Sequence, residues 1–354
     1  MSMVRLVITF TIGGIAILNA ILFWFMPRLT RRDLYFAVTV APAFRDEPEG
    51  RSILGRYRAE LIFFSALALA AFVTGSAWLG VGFVSTGTFL QLGASFIAFY
   101  RARQRVLPHA VPPTMIREAE LHNHDRIILG GWMTASGPFI LLAACAGYLW
   151  IHRGENSMPT DLHGHRLSVI LVSTAGILTS LTLILYGLAH WVRPVHAGGG
   201  EGARELKFRK TFSVILLVIE YFITLQASWI MWVRRGDPTI VALLPLFLVF
   251  VLVAIVILAR LGQGGSRMPA TDEPRIPNSS VPVGDRTLDC YWKLGVFYFN
   301  RDDSAVLVEK RFGLGYSLNF ARPTAWIILL LVLMGPLIPI VAHLSRFLPK
   351  LDIK

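Results

Sequence analysis

The sequence predicts an all-α transmembrane bundle of about eight helices, with a small β-hairpin-containing cytoplasmic module before the last helix. Three observations lead there. Of the 354 residues 54% are hydrophobic and only 16% charged, at a mean hydropathy of +0.57, which lies outside the range of soluble globular chains. Uncharged apolar runs recur along the chain at about 20 residues each, the length a helix needs to cross a hydrocarbon core ~30 Å thick. Lys and Arg gather in alternate loops, 26 of the 34 on one side and 8 on the other, which marks the richer side as cytoplasmic.

In chain order the expected spans are 4–26, 61–79, 81–100, 132–151, 167–191, 213–233, 240–261 and 325–344. The first is led by a single charge, Arg5, and "PRLTRR" follows it without a small-residue cleavage site, so it reads as a retained anchor and not a signal peptide. Only Gly80 separates the second from the third, which requires a very tight hairpin or one long re-entrant segment. Trp24, Trp132, Trp150, Trp191, Trp229, Trp232 and Trp326 lie near span ends, where an amphipathic indole is best solvated. The charge asymmetry puts both termini outside. The net charge of +12 follows from that bias and from attraction to anionic lipid, so the bilayer is the expected partner and nucleic acid is not. Cys145 falls in a span and Cys290 in a loop, which leaves no disulfide framework and no paired-cysteine metal site; no cofactor is expected.

Residues 1–261 form the expected membrane domain of seven helices. Residues 262–287 are rich in Gly, Pro and Ser and read as a flexible linker. Residues 288–324 then form the cytoplasmic module, and 325–354 the last helix and tail. Within the module two β-rich runs, 296–299 and 305–308, flank a polar turn. Asn300, Asp302 and Asp303 in that turn invite a calcium reading, but a twelve-residue EF-hand loop begun at Asn300 would end on Arg311, where a bidentate glutamate is needed. The turn therefore reads as Asx-rich.

Trp292, Gly295, Tyr298, Asn300, Asp303, Lys310, Arg311, Gly313, Gly315 and Asn319, in that order, resemble the cytoplasmic motif of a bacterial family catalogued as a domain of unknown function. "LTRRDLYFAVTVAP" and "LGRYRAEL" in the first loop are similar to patterns in its membrane-spanning members. These are distant relatives of Sdp-type toxin-immunity membrane proteins, whose outward loop "MPTDLHGHRL" resembles through Pro159 and His165. The resemblance implies a multi-pass protein of the bacterial inner membrane, with a cytoplasmic protein partner engaged through residues 288–324; it brings no established reaction.

Chemistry-bearing residues inside the apolar runs are few. Glu220 in "LVIEYFITLQ" lies roughly 12 Å from the cytoplasmic end of the sixth span, with Asn19 and Gln91 at roughly 10 and 14 Å in the first and third. A carboxylate at that depth is costly unless it is neutral, paired or facing water, so these three are expected to turn inward as an intramembrane polar layer. That layer either fixes helix register or carries protons or a ligand. In the outward loop His152, Asp161, His163 and His165 supply imidazole and carboxylate ligands suited to a zinc- or copper-like ion. No H-E-x-x-H, paired-aspartate or Ser-base arrangement points to catalysis. The leading expectation is a non-enzymatic sensor, immunity or regulatory protein. The alternatives are a secondary transporter built on Glu220 and on a last span broken at Pro336 and Pro339, and a metal-dependent outward site.

Overall fold

The structure is a computed structural model that describes residues 3–79, 81–113, 127–152, 165–192, 201–232, 243–268 and 287–344. It is mostly helical. Among the described residues the α-helices are α1 (Met3–Leu29), α2 (Pro48–Leu79), α3 (Val81–Val106), α4 (Gly131–Ile151), α5 (His165–His190), α6 (Glu201–Trp232), α7 (Leu243–Leu261) and α8 (Pro323–Leu344). Short strands accompany them: β1 (Leu34–Tyr35), β2 (Val38–Thr39), β3 (Trp292–Lys293), β4 (Phe297–Tyr298), β5 (Leu307–Glu309) and β6 (Tyr316–Leu318).

Over the described residues each expected span overlaps one of these helices. In the described residues five helical stretches, within α2, α4, α5, α6 and α7, are long and apolar enough to cross a membrane; α1 and α8 contribute shorter apolar stretches, Gly13–Leu29 and Pro323–Leu333. Large apolar side chains point outward along them, among them Phe63, Ile140, Ile151, Leu225 and Leu330, and Phe89 does so on α3. Faces of that kind would be unsolvated in water.

Three helices overrun the spans because amphipathic sequence continues their apolar faces. In α2, Ile53, Tyr57 and Leu61 recur every four residues and are all buried, so the helix begins at Pro48 and not near residue 61. In α3, Ala98, Phe99, Ala102 and Val106 do the same at the other end. In α6 the added turns bury Phe208. Gly80 lies outside the described residues; α2 and α3 pack along each other on either side of it, as the tight-hairpin alternative requires. The last helix corrects one expectation: α8 runs through Pro336 and Pro339 without a break.

The chain forms two compact units, each drawn from distant stretches: Met1–His122 with Arg193–Phe208 and Leu244–Ala321, and Asn123–Val192 with Arg209–Leu243 and Arg322–Lys354. The first contains α1, α2, α3, α7 and all the strands. Its core is aromatic and centres on the β1–β2 hairpin, whose two-residue turn, Phe36 and Ala37, has φ of 47° and 62°. Turns of this geometry ordinarily use Asn-Gly, which is why the sequence carries no visible hairpin signal here. Packing holds the conformation instead. Phe36 is fully buried, with its ring 4.8 Å from Tyr57 and 6.4 Å from both Phe99 and Phe312.

In the module both expected β-rich runs become strands, but they do not pair with each other. β4 pairs back with β3, and β5 pairs forward with β6, giving two small antiparallel hairpins joined by a parallel bridge between Tyr298 and Asn319.

The second unit packs α4 on α5 and α5 on α8. Leu142, Leu149, Leu178, Ala227 and Met231 form its buried cluster. The Tyr221 hydroxyl of α6 donates to the Thr134 carbonyl of α4 at 3.0 Å, passing directly over Gly137, where a Cβ would lie 2.0 Å from that oxygen.

Candidate functional site

The polar motif of the module folds into two interlocked knots. Asn319, fully buried, receives the backbone N–H groups of Asn300 and Ala321 on its side-chain oxygen, at 3.1 and 3.2 Å. Its amide donates to the carbonyls of Asn300, Asp303 and Ala305 at 2.9, 3.2 and 3.1 Å. The Tyr298 hydroxyl donates to Asp303 at 3.0 Å while accepting from the Asn300 amide at 3.2 Å. Asn300 and Asp303 also cap the N–H groups of Asp302 and Ala305, which is the Asx-rich turn the sequence indicates.

The second knot surrounds Arg311, whose side chain is fully buried. It donates to Asp289, to the Thr287 carbonyl and, at 3.1 Å, to the Thr287 hydroxyl, and lies 5.5 Å from the Trp292 ring centroid. Trp292 Nε1 donates to the same hydroxyl at 2.8 Å. Asp289 in turn accepts the Thr39 hydroxyl and N–H of β2 at 2.7 and 3.2 Å, which ties the module to the first-loop hairpin.

A second cation completes the junction. Arg103, buried near the end of α3, donates to the Ala37 carbonyl at 2.6 Å and reaches the carbonyls of Phe36 and Trp292 at 3.5 Å. Burial lowers its pKa, and Asp289 offsets part of that. Gly295 explains itself here: its φ is +79°, and a Cβ would meet Arg103 Cδ at 2.9 Å and Phe99 Cζ at 3.1 Å. Lys310, Gly313 and Gly315 belong to the β5–β6 connection, where burial depresses the Lys310 pKa and the two glycines take φ of +106° and +94°. The motif residues thus direct hydrogen bonds to one another, to nearby backbone and to Asp289 and Thr287.

Sequence reading missed an arginine-lined recess of about 550 Å³ in the same unit. Arg28, Arg31, Arg32, Arg45 and Arg267 line it, against Asp33 and Asp46. The first three fall within five residues at and just beyond the end of α1, which was the available signal, but Arg45 and Arg267 arrive from other segments. Arg45 donates to the carbonyls of Pro27, Arg31 and Leu34 and to the Thr30 hydroxyl, so it caps the end of α1 and braces β1. Burial brings its pKa down to about 10, which leaves it protonated at neutral pH. Tyr35, 5.1 Å beneath its guanidinium, is raised to about 12 by burial.

Of the expected polar-layer residues, Glu220 and Gln91 have partners within their own units. In the second unit, Glu220 is fully buried on α6; its Oε1 accepts the Thr182 hydroxyl of α5 at 3.0 Å, while Oε2 has no partner among the described residues. In the first unit, Gln91 donates to Ser65 of α2 at 2.7 Å and to Ser95 at 3.3 Å, and the Asn19 Nδ2 has no described partner. Of the outward ligand set, Asp161 and His163 lie outside the described residues and His165 opens α5. His152 stacks on Tyr148 at 4.1 Å, with Nδ1 2.9 Å from the Tyr148 carbonyl. No group of three or more His, Cys, Asp or Glu suited to a metal occurs among the described residues.

Residues 301–326 match a family of unknown function, DUF5808. The matched stretch takes in β5, β6 and the first turn of α8, and with them Asp303, Lys310, Arg311, Gly313, Gly315 and Asn319. No curated protein and no solved structure matches the chain.

Proposed function

We propose that this chain is a multi-pass protein of the bacterial inner membrane, with both termini outside and the 288–324 module on the cytoplasmic face, and that it acts without catalysis as a sensor, immunity or regulatory protein. One observation carries the reading. The module is tied to α3 through Arg103 and to β2 of the first loop through Asp289, so a shift of α3 or of the first loop changes the anchorage of a compact surface unit. A protein partner engaged through residues 288–324 would read that change. The internal satisfaction of the motif's polar groups supports a scaffold over an active centre.

A secondary transporter is the second reading, favoured by the unpartnered Glu220 Oε2 within an apolar helix. Purified full-length protein separates the two. Thermal-shift screening against a panel of small solutes is expected to find saturable stabilisers that are not accumulated by proteoliposomes. Accumulation driven by a proton gradient and lost in Glu220→Gln, a variant that keeps the shape and the Thr182 hydrogen bond, would replace the sensor with the transporter.

A further inference from the structure

We propose that the recess at the end of α1 is a binding site for a phosphate group. The inference is independent of whether the protein senses or transports.

Five guanidinium groups face two carboxylates around one cavity, an excess of positive charge held in about 550 Å³. A volume of that size suits a small ligand or a lipid headgroup. The five arginines divide into two sets. Three are already oriented by the protein: Arg45 by the carbonyls at the end of α1 and by Leu34, Arg267 by the carbonyls of Ala259 at 3.0 Å and of Arg28, and Arg31 by Asp33 at 3.3 Å. The negative end of the α1 dipole is therefore met by Arg45 and Arg267 without further help. Arg28 and Arg32 are surplus to that need. Both are exposed, and neither guanidinium has a hydrogen bond or ion pair among the described residues, although the Arg28 carbonyl accepts from Arg267.

Like charges crowded in this way repel. Burial is the main cause that lowers the Arg45 pKa; Tyr35 and Asp33 oppose it, and Arg32 adds to it against Asp46. An anion in the recess removes the repulsion and supplies acceptors for the two uncommitted guanidinium forks. Phosphate matches those forks bidentately, and arginine outranks lysine at such sites for that reason. Ser266 also lines the recess, whereas the hydroxyl of Thr30, another lining residue, is committed to backbone carbonyls at 3.2 Å. The position also fits. The recess opens where the apolar stretch of α1 ends, one turn beyond Trp24, on whose ring the Arg58 guanidinium rests at 4.7 Å. Indoles so placed lie at headgroup level in a bilayer, where phosphates are abundant. The phosphate is either that of an anionic lipid or that of a small phosphorylated solute.

The test uses the full-length chain in two arms. In uncharged detergent its thermal unfolding is titrated with inorganic phosphate against chloride at matched ionic strength. In nanodiscs it is followed as phosphatidylglycerol replaces phosphatidylcholine. Each arm is repeated with Arg28→Gln/Arg32→Gln, which leaves the structural arginines untouched, and with Arg51→Gln/Arg56→Gln, which removes the same charge from exposed positions on α2 outside the recess. Saturable stabilisation is expected in at least one arm, weakened roughly tenfold or more in R28Q/R32Q and kept in R51Q/R56Q. A response to phosphatidylglycerol alone assigns the site to a lipid headgroup, and one to free phosphate assigns it to a soluble ligand. The proposal is overturned if neither arm responds, if chloride does as well as phosphate, or if the two double variants behave alike.

Discussion

Asn319 spends both ends of its side chain on backbone, with five hydrogen bonds between 2.9 and 3.2 Å that no other residue type of its size can make. Asn319→Asp keeps the shape but turns three donated bonds into oxygen facing oxygen. It is expected to cost about 3 kcal/mol or more, read as a lowered unfolding midpoint of the purified protein. The tip of the β1–β2 hairpin makes a contrasting case at the same scale. Ala37 sits at a φ of 62° with no side chain that profits from it, so Ala37→Gly is expected to stabilise by about 0.5–1 kcal/mol. Phe36 is as strained but packs against Tyr57, and Phe36→Ala should lose about 3–5 kcal/mol. If both substitutions destabilise alike in denaturant titrations, the strain at Ala37 is not relieved by glycine and the packing argument fails.

Helix ends and helix contacts carry the next predictions. Arg103 joins α3 to the turn of the first hairpin and to β3, and Arg103→Met keeps its length while deleting every donor. The expected loss is about 2–3 kcal/mol, with faster proteolysis within 288–324 and no change in helix content by circular dichroism. Equal proteolysis rates in variant and parent would show that the module does not depend on this tie. In the second unit the α4–α6 contact depends on a missing side chain at Gly137, since a Cβ there would meet Tyr221 Oη at 2.0 Å and Cζ at 2.9 Å. Small residues let membrane helices approach in this way. Gly137→Ala should cost about 1–3 kcal/mol, and adding Tyr221→Phe, which removes the clashing oxygen, should recover part of it. Losses that simply add would place the clash elsewhere.

For the molecule as a whole the charge asymmetry makes a topological claim that the native cysteines can test. Cys290 is exposed on the module and Cys145 half-buried in α4. With Cys145→Ala as background, Cys290 should resist a membrane-impermeant maleimide in intact cells and react once the membrane is opened. A cysteine placed at position 157 in a Cys290→Ala chain should do the reverse. Labelling of Cys290 from outside would invert the assigned orientation, and with it the face on which the arginine recess opens.

The helices of the described residues and the short strands near the C-terminus were legible because both rest on local composition: a long apolar run declares itself whatever the rest of the chain does. The Asx-rich turn at 300–303 was legible for the same reason, since its hydrogen bonds close within two residues. What local pattern could not reveal was everything joined across long sequence separations. The first-loop hairpin has no turn signal of its own and exists because Phe36 meets Tyr57, Phe99 and Phe312. Asp289 finds Thr39 across 250 residues, and the partner choice of β4 and β5 follows from where Asn319 and Arg311 are buried. The recess needs Arg28, Arg45 and Arg267 at one point. Hydropathy therefore located the apolar core of each described helix, whereas side-chain packing between remote segments decided how far α2, α3 and α6 extend and which polar groups meet, because the energy that holds a strained turn or a buried arginine comes from contacts no short window of sequence contains.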